Sequence, residues 1–167
     1  LDEDPKLTVK SESLRAKRVA RGLLPNPIKV GVVSEANLQP DSKFLNEGSA
    51  RIVIFTTHRT SKDKLAFLRS RGAEVYIHAG KRVDLETMMQ TLKELGIHRL
   101  MVEGGAKLAR SFLDVGLVDE VQLFRSPVVI GPNGVDAVAG QSLDEALQGF
   151  VLREQETLGV DRLTVYE

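Results

Sequence analysis

The chain has 167 residues, 42% of them hydrophobic, with 23 basic and 23 acidic side chains that cancel and no cysteine. That balance excludes global attraction to nucleic acid or to an anionic membrane. The missing thiols exclude disulfides, thiolate metal sites and a cysteine nucleophile. The length suits one domain, residues 1–167, with a sizeable core, and no apolar run approaches membrane-spanning length, so a cytoplasmic protein is expected.

The chain opens Leu1-Asp2-Glu3-Asp4-Pro5 without an initiator methionine, as a fragment would. Leu7-Thr8-Val9 is long enough only for an edge strand or extended segment. Residues 11–27 are polar and basic, with Arg15, Lys17, Arg18 and Arg21, and end in Pro25-Asn26-Pro27; they read as a solvated loop or short surface helix. Ile28 to Val33 is the first convincing strand, running out at Ser34. Arg51 to Phe55 is the second, followed by Thr56-Thr57-His58-Arg59-Thr60.

Thr60 or Ser61 caps a helix with Leu65 and Leu68 on one face, stopped by Gly72. Val75-Tyr76-Ile77 is a third strand. Asp84 caps a stronger helix whose stripe is Leu85, Met88, Met89, Leu92 and Leu95, ended by Gly96. Leu100-Met101-Val102 reads as a short buried strand that stops at Glu103-Gly104-Gly105. An amphipathic helix follows with Leu108, Phe112 and Val115, closed by Gly116.

Val121 to Phe124 alternates like a strand, and Pro127 to Gly131 continues it into the loop Pro132-Asn133-Gly134. Ser142 and Glu145 form a capping box. The tail, Phe150 to Thr157 and Arg162 to Tyr166, alternates around Gly159 as a terminal antiparallel hairpin. Alternating strands and helices imply parallel pairing early in the chain, and antiparallel strands close it. The expected fold is α/β: a three-layer arrangement on a mixed, mainly parallel sheet with C-terminal antiparallel strands.

Chemistry-bearing motifs are few. H-E-x-x-H, P-loop and G-x-S-x-G patterns are all absent, and His58, His78 and His98 lie in separate segments without ligand spacing, so no metal is expected. The Glu103-Gly104-Gly105 turn between strand and helix has two readings. Its backbone N–H groups and the helix dipole suit a phosphate, or it is a tight turn with a solvated acid. With the strand ends at Ser34 and Thr56-Thr57 it supports a nucleotide or phosphosugar site; it does not separate redox chemistry from simple binding.

Three stretches together narrow the choice. Asp4-Pro5-Lys6-Leu7-Thr8-Val9-Lys10, Asn26-Pro27-Ile28-Lys29-Val30 leading to Ser34, and Val102-Glu103-Gly104-Gly105 with Gly116-Leu117-Val118-Asp119-Glu120 resemble the riboflavin-biosynthesis reductases. The resemblance covers nearly the whole chain. It implies a dihydrofolate-reductase-like fold, a homodimer, and NADPH-dependent reduction of the ribosyl group of a ribosylaminopyrimidine 5′-phosphate to ribityl. In that mechanism the ribosylamine opens to an imine and hydride reaches C1′. Leu7, Lys10 and Glu103 fall on substrate positions, with Lys10 at the phosphate. Glu3, Ser34 and the run Gly104, Gly105, Ala106, Lys107, Leu108, Ala109, Arg110 and Ser111 fall on cofactor positions; catalytic residues remain unassigned. Family members carry a further strand and helix before the Asp-Pro pair, which the chain lacks. Two other readings stay open: a reductase of another heterocyclic substrate, and a non-catalytic nucleotide-binding domain.

Overall fold

The computed structural model of the chain describes residues 4–131 and 134–167. They fall into two compact units that divide between Met88 and Met89.

In the first unit, strands β1 (Lys29–Val32), β2 (Ile52–Thr57) and β3 (Glu74–His78) pair in parallel in the order β1-β2-β3, with Val30 opposite Val53 and Ile54 opposite Val75. β2 is buried at every position, as expected for the middle strand of a parallel sheet covered on both faces. It is two residues longer at its end than its apolar run suggests, because Thr56 and Thr57 remain paired with β3. Helix α1 (Glu12–Ala20) precedes β1, α2 (Lys43–Asn46) lies between β1 and β2, and α3 (Lys62–Ser70) lies between β2 and β3. Ser61 caps α3 by accepting from the Lys64 N–H, and Gly72 takes the left-handed φ of 81° that ends it. The core gathers Ala36, Phe44, Ile52, Ile54, Leu68 and Ala73, with Leu7, Val33 and Leu38 packed around it.

Helix α4 (Leu85–Glu94) spans the boundary between the units. Asp84 caps it as expected, its carboxylate accepting from the Glu86 and Thr87 N–H groups at 3.1 and 3.4 Å. In the second unit come α5 (Ala106–Asp114), β4 (Val121–Arg125), α6 (Leu143–Ala146), β5 (Leu152–Leu158) and β6 (Asp161–Tyr166). The strands form an antiparallel sheet ordered β4-β6-β5. The Ser142–Glu145 capping box is complete in both directions.

Two local expectations fail. Leu100-Met101-Val102 is not a strand, and Met101 is 75% exposed. An apolar tripeptide becomes a strand only with a hydrogen-bonded neighbour, and among the described residues it has none. Pro127 to Gly131 likewise does not prolong β4; Val128, Val129 and Ile130 are exposed in irregular chain. In the loop expected at Pro132-Asn133-Gly134, the first two positions lie outside the described residues. One element was not foreseen: α2, whose four residues KFLN are too few for a periodic signal.

Candidate functional site

From Asp4 to Lys10 the chain before α1 belongs to no ladder, and its geometry comes from side chains elsewhere. Asp4, at a left-handed φ of 46°, aims its carboxylate at the start of α2. There it accepts from Ser42 Oγ at 2.6 Å and from the Lys43 and Phe44 N–H groups at 2.9 and 3.1 Å. Those bonds, the Ser42 hydroxyl first among them, lower its pKa from 3.8 to about 2. At the other end of α2, Lys29 is 1% exposed and donates to the Phe44 and Glu47 carbonyls at 3.0 and 2.5 Å. Burial depresses the Lys29 pKa. A carboxylate at the N-terminus and an ammonium at the C-terminus complement both ends of the helix dipole. That is how four residues hold a helical turn.

Leu7, also at positive φ (47°), packs against the first unit's core. Lys10 is exposed beside a cleft of about 290 Å³ lined with Thr8, Val9, Arg15, Asn26 and Gly48. The Val9 N–H donates to Asn26 Oδ1 at 3.0 Å, and Arg15 Nη1 donates to the Val9 and Lys10 carbonyls at 2.7 and 3.0 Å. Gly48 is required here: a Cβ would stand 2.5 Å from Thr8 Cγ2, and its φ is +69°.

Ser34 follows β1, and the loop it opens is fastened by threonines from the end of β2. Thr57 Oγ1 donates to the Ser34 carbonyl at 2.6 Å. The Ala36 N–H donates to Thr60 Oγ1 at 2.9 Å, and the Thr56 and Thr60 hydroxyls pair at 2.7 Å. All three threonines are buried. Lys64 bonds Glu35 at 3.0 Å and also reaches Asn37; its hydrogen bond holds Glu35 below the usual carboxylate range. Beside this loop is a cleft of about 550 Å³ lined by residues that include Asp4, Val33, Glu35 and Ser42. Leu7 and Val33 pack on one core, so the Asp-Pro segment and the Ser34 strand share a support, while Lys10 faces a different cleft. His58 and Arg59 are exposed just beyond β2. The sequence reading missed Asp4, Lys29, Asn26 and the threonines as structural keys. Two polar β-branched residues directly after the Ile-Val-Ile-Phe run were the available signal.

In the second unit, Glu103, Gly104 and Gly105 are exposed and lead into α5. The two glycines differ. A Cβ on Gly104 would meet Leu108 Cδ2 at 2.7 Å, so it is small because the helix packs back on it. A Cβ on Gly105 would meet nothing within 4 Å. Gly105 is the N-cap, at an ordinary φ of −66°, and no side chain caps the helix there. Its use is therefore open space beside uncapped N–H groups, not left-handed backbone. Uncapped N–H groups with open space beside them suit a phosphate group.

Along α5, Lys107 is exposed, Ala106, Leu108, Ala109, Arg110 and Ser111 are half-buried, and Phe112 is buried. Ser111 Oγ is turned back to the Lys107 carbonyl at 2.9 Å, and Arg110 Nε bonds Asp114 at 2.6 Å. These two side chains serve the helix itself. Glu3, the remaining expected cofactor position, lies outside the described residues. Among the described residues no three of His, Asp and Glu are grouped to share a metal ion, and no helix is long and apolar enough to cross a membrane.

Comparison with known proteins agrees with this anatomy. The model of the RibD C-terminal domain family matches residues 1–163, across both units. The chain is 37% identical over 171 residues to 2,5-diamino-6-ribosylamino-4(3H)-pyrimidinone 5′-phosphate reductase of Methanothermobacter thermautotrophicus, covering 99% of the chain and 74% of that protein. The protein of the same name from Archaeoglobus fulgidus is 37% identical over 131 residues, 78% of the chain and 59% of its own length. The one from Aquifex aeolicus is 32% identical over 99% of the chain and 70% of its length. The chain thus spans between about three-fifths and three-quarters of these relatives.

Among solved structures, a pyrimidine reductase-like protein from Corynebacterium diphtheriae superposes with a TM-score of 0.77 at 19% identity, over 99% of the chain and 71% of that protein. RibD of Acinetobacter baumannii gives 0.76 at 22% identity, over 99% of the chain and 43% of its own. The fold is the mixed α/β, dihydrofolate-reductase-like one expected from the sequence, although the parallel and antiparallel strands form two three-stranded sheets where one mainly parallel sheet was expected. The chain belongs to the RibD C-terminal domain family of riboflavin-biosynthesis reductases.

Proposed function

We propose that the protein is an NADPH-dependent reductase of riboflavin biosynthesis that converts the ribosyl group of a ribosylaminopyrimidine 5′-phosphate to ribityl, with residues 1–167 acting as one reductase domain. The observation that carries this reading is the 37% identity, across 99% of the chain, to a protein named for reducing the 2,5-diaminopyrimidinone substrate. That form of the ring, still carrying both amino groups, is the substrate we assign.

NADPH, when bound, supplies the hydride that reduces C1′. We assign its phosphates to the turn and helix start from Gly104 to Ala109; the unfilled space at Gly105 and the uncapped start of α5 support this. Lys10 holds the substrate phosphate. Its ammonium is a point charge without the fork of an arginine, so it depends on being aimed. Glu103 orients hydroxyl or amine groups of the substrate. The protein's contribution is positioning, which converts binding energy into rate. We also read the protein as cytoplasmic and homodimeric; exposed Val128, Val129 and Ile130 support the second. Light scattering tests it, with a monomeric mass as the contrary result.

Turnover is tested by following NADPH oxidation with the diaminopyrimidine substrate in the parent and in Glu103→Gln. The exchange keeps the shape and removes the charge. It is expected to lower kcat/KM about a hundredfold, near 2.7 kcal/mol, with NADPH affinity and Tm close to the parent values. Unchanged turnover, or a defect confined to Tm, would assign Glu103 to the scaffold.

A further inference from the structure

We propose that Arg15 is a positioning residue for a phosphate monoester: it fixes the backbone of Lys10 so that the lysine ammonium is aimed at the phosphate. The inference rests on the reading of Lys10 as the phosphate residue, and it adds a residue that the family resemblance does not assign.

Lys10 stands in a segment without strand partners, so no ladder sets its direction. Its neighbours' backbone groups are satisfied by side chains instead. From one side Asn26, 7% exposed, accepts from the Val9 N–H. From the other, one nitrogen of Arg15 donates to both the Val9 and the Lys10 carbonyls. The peptide that follows Lys10 leads directly into Ser11, the N-cap of α1, and Arg15 reaches back over that helix start. A guanidinium bonded to the Lys10 carbonyl fixes the orientation of that peptide, and with it the direction in which the Lys10 side chain leaves the chain.

The helix that supplies Arg15 has little structural use of its own. α1 buries none of its residues. Arg15 is half-buried, and its two bonds go to the site segment while both it and Lys10 border the same cleft of about 290 Å³. A side chain spent on two backbone carbonyls beside an exposed lysine orders the backbone that carries the lysine, so less of the segment remains to be ordered when an anion binds. A guanidinium Nη carries two N–H donors, so one nitrogen serves both carbonyls.

The test is calorimetric binding, without cofactor, of the ribosylaminopyrimidine 5′-phosphate and of the same compound lacking phosphate, to the parent, Arg15→Gln, Arg15→Lys and Lys10→Gln. Arg15→Gln is expected to weaken the phosphorylated ligand about tenfold and the dephosphorylated one less than twofold, with Arg15→Lys intermediate. Equal losses for both ligands, or none, overturn the proposal, as does a Tm drop far larger than that of Arg18→Gln on the same helix. Lys10→Gln separates the two levels. If it changes the phosphate preference and Arg15→Gln does not, the inference about Arg15 alone is wrong. If Lys10→Gln leaves that preference unmoved, the assignment of Lys10 fails and this inference falls with it.

Discussion

The first unit buries its middle strand from end to end, whereas in the second unit β5 is exposed at all seven positions. A parallel sheet reached through crossovers is covered on both faces, so its strands read as continuous apolar runs. An antiparallel hairpin can leave one face wet and read as an alternation. The contrast separates two kinds of position. Substitutions in the first unit's core should act on stability, and those around the exposed turn at Glu103 to Gly105 should, on the proposed function, act on binding.

The largest expected effect lies in the core. Phe44→Ala empties a fully buried site between Asp4 and Lys29, and should cost about 3–5 kcal/mol in denaturant unfolding. A loss below about 1 kcal/mol would mean that the first unit does not carry the stability. Next comes Gly105→Val in the second unit. With nothing of the protein within 4 Å of the new Cβ, folding tolerates it, and the side chain fills the space assigned to the cofactor. NADPH affinity should fall at least about tenfold, near 1.4 kcal/mol, by calorimetry. Unchanged affinity in a folded variant would remove the turn from the site.

The third prediction concerns acid. The folded-state pKa of Asp4 lies below its ordinary value, at about 2 against 3.8. Its contribution is therefore complete above the ordinary value and is lost as pH falls from there through about 2. Asp4→Asn should flatten stability against pH between about 4 and 2, leaving the residual slope of Glu35, Glu74, Asp84 and Glu145, whose pKa values are also lowered. A variant with the parent's acid slope would contradict the carboxylate's role at α2. Smallest of all, Val160→Thr at the exposed hairpin turn should stay within about 0.5 kcal/mol of the parent by thermal unfolding.

The same contrast governs what could be read from residues alone. Helices with local caps, such as Ser61 before α3, Asp84 before α4 and the Ser142–Glu145 box, were legible because cap and periodic stripe lie within one window. The hairpin was legible from its alternation around Gly159, which takes a φ of 68°. Long-range support was not. Leu100 to Val102 has the composition of a strand, yet pairing depends on a neighbour, and local sequence does not state whether one is there. α2 is the converse case, four residues without periodicity made helical by partners 15 and more positions away. Nor does the sequence tell the two glycines apart: Leu108 crowds Gly104, and Gly105 stands open.

Those distant partners have a consequence for chain entropy. Asp4 reaches Ser42 across 38 positions and Val9 reaches Asn26 across 17. Closure entropy grows only as the logarithm of loop length, so the longer closure costs about 0.7 kcal/mol more than the shorter. The first closes over α1, β1 and the loop that follows, the second over α1 alone. The segment that bears Leu7 and Lys10 is held by such side-chain closures and by no ladder, so it should loosen before the sheet does. Its amides should exchange through openings smaller than global unfolding, and a ligand gripping it would slow that exchange before it raised the stability of the rest.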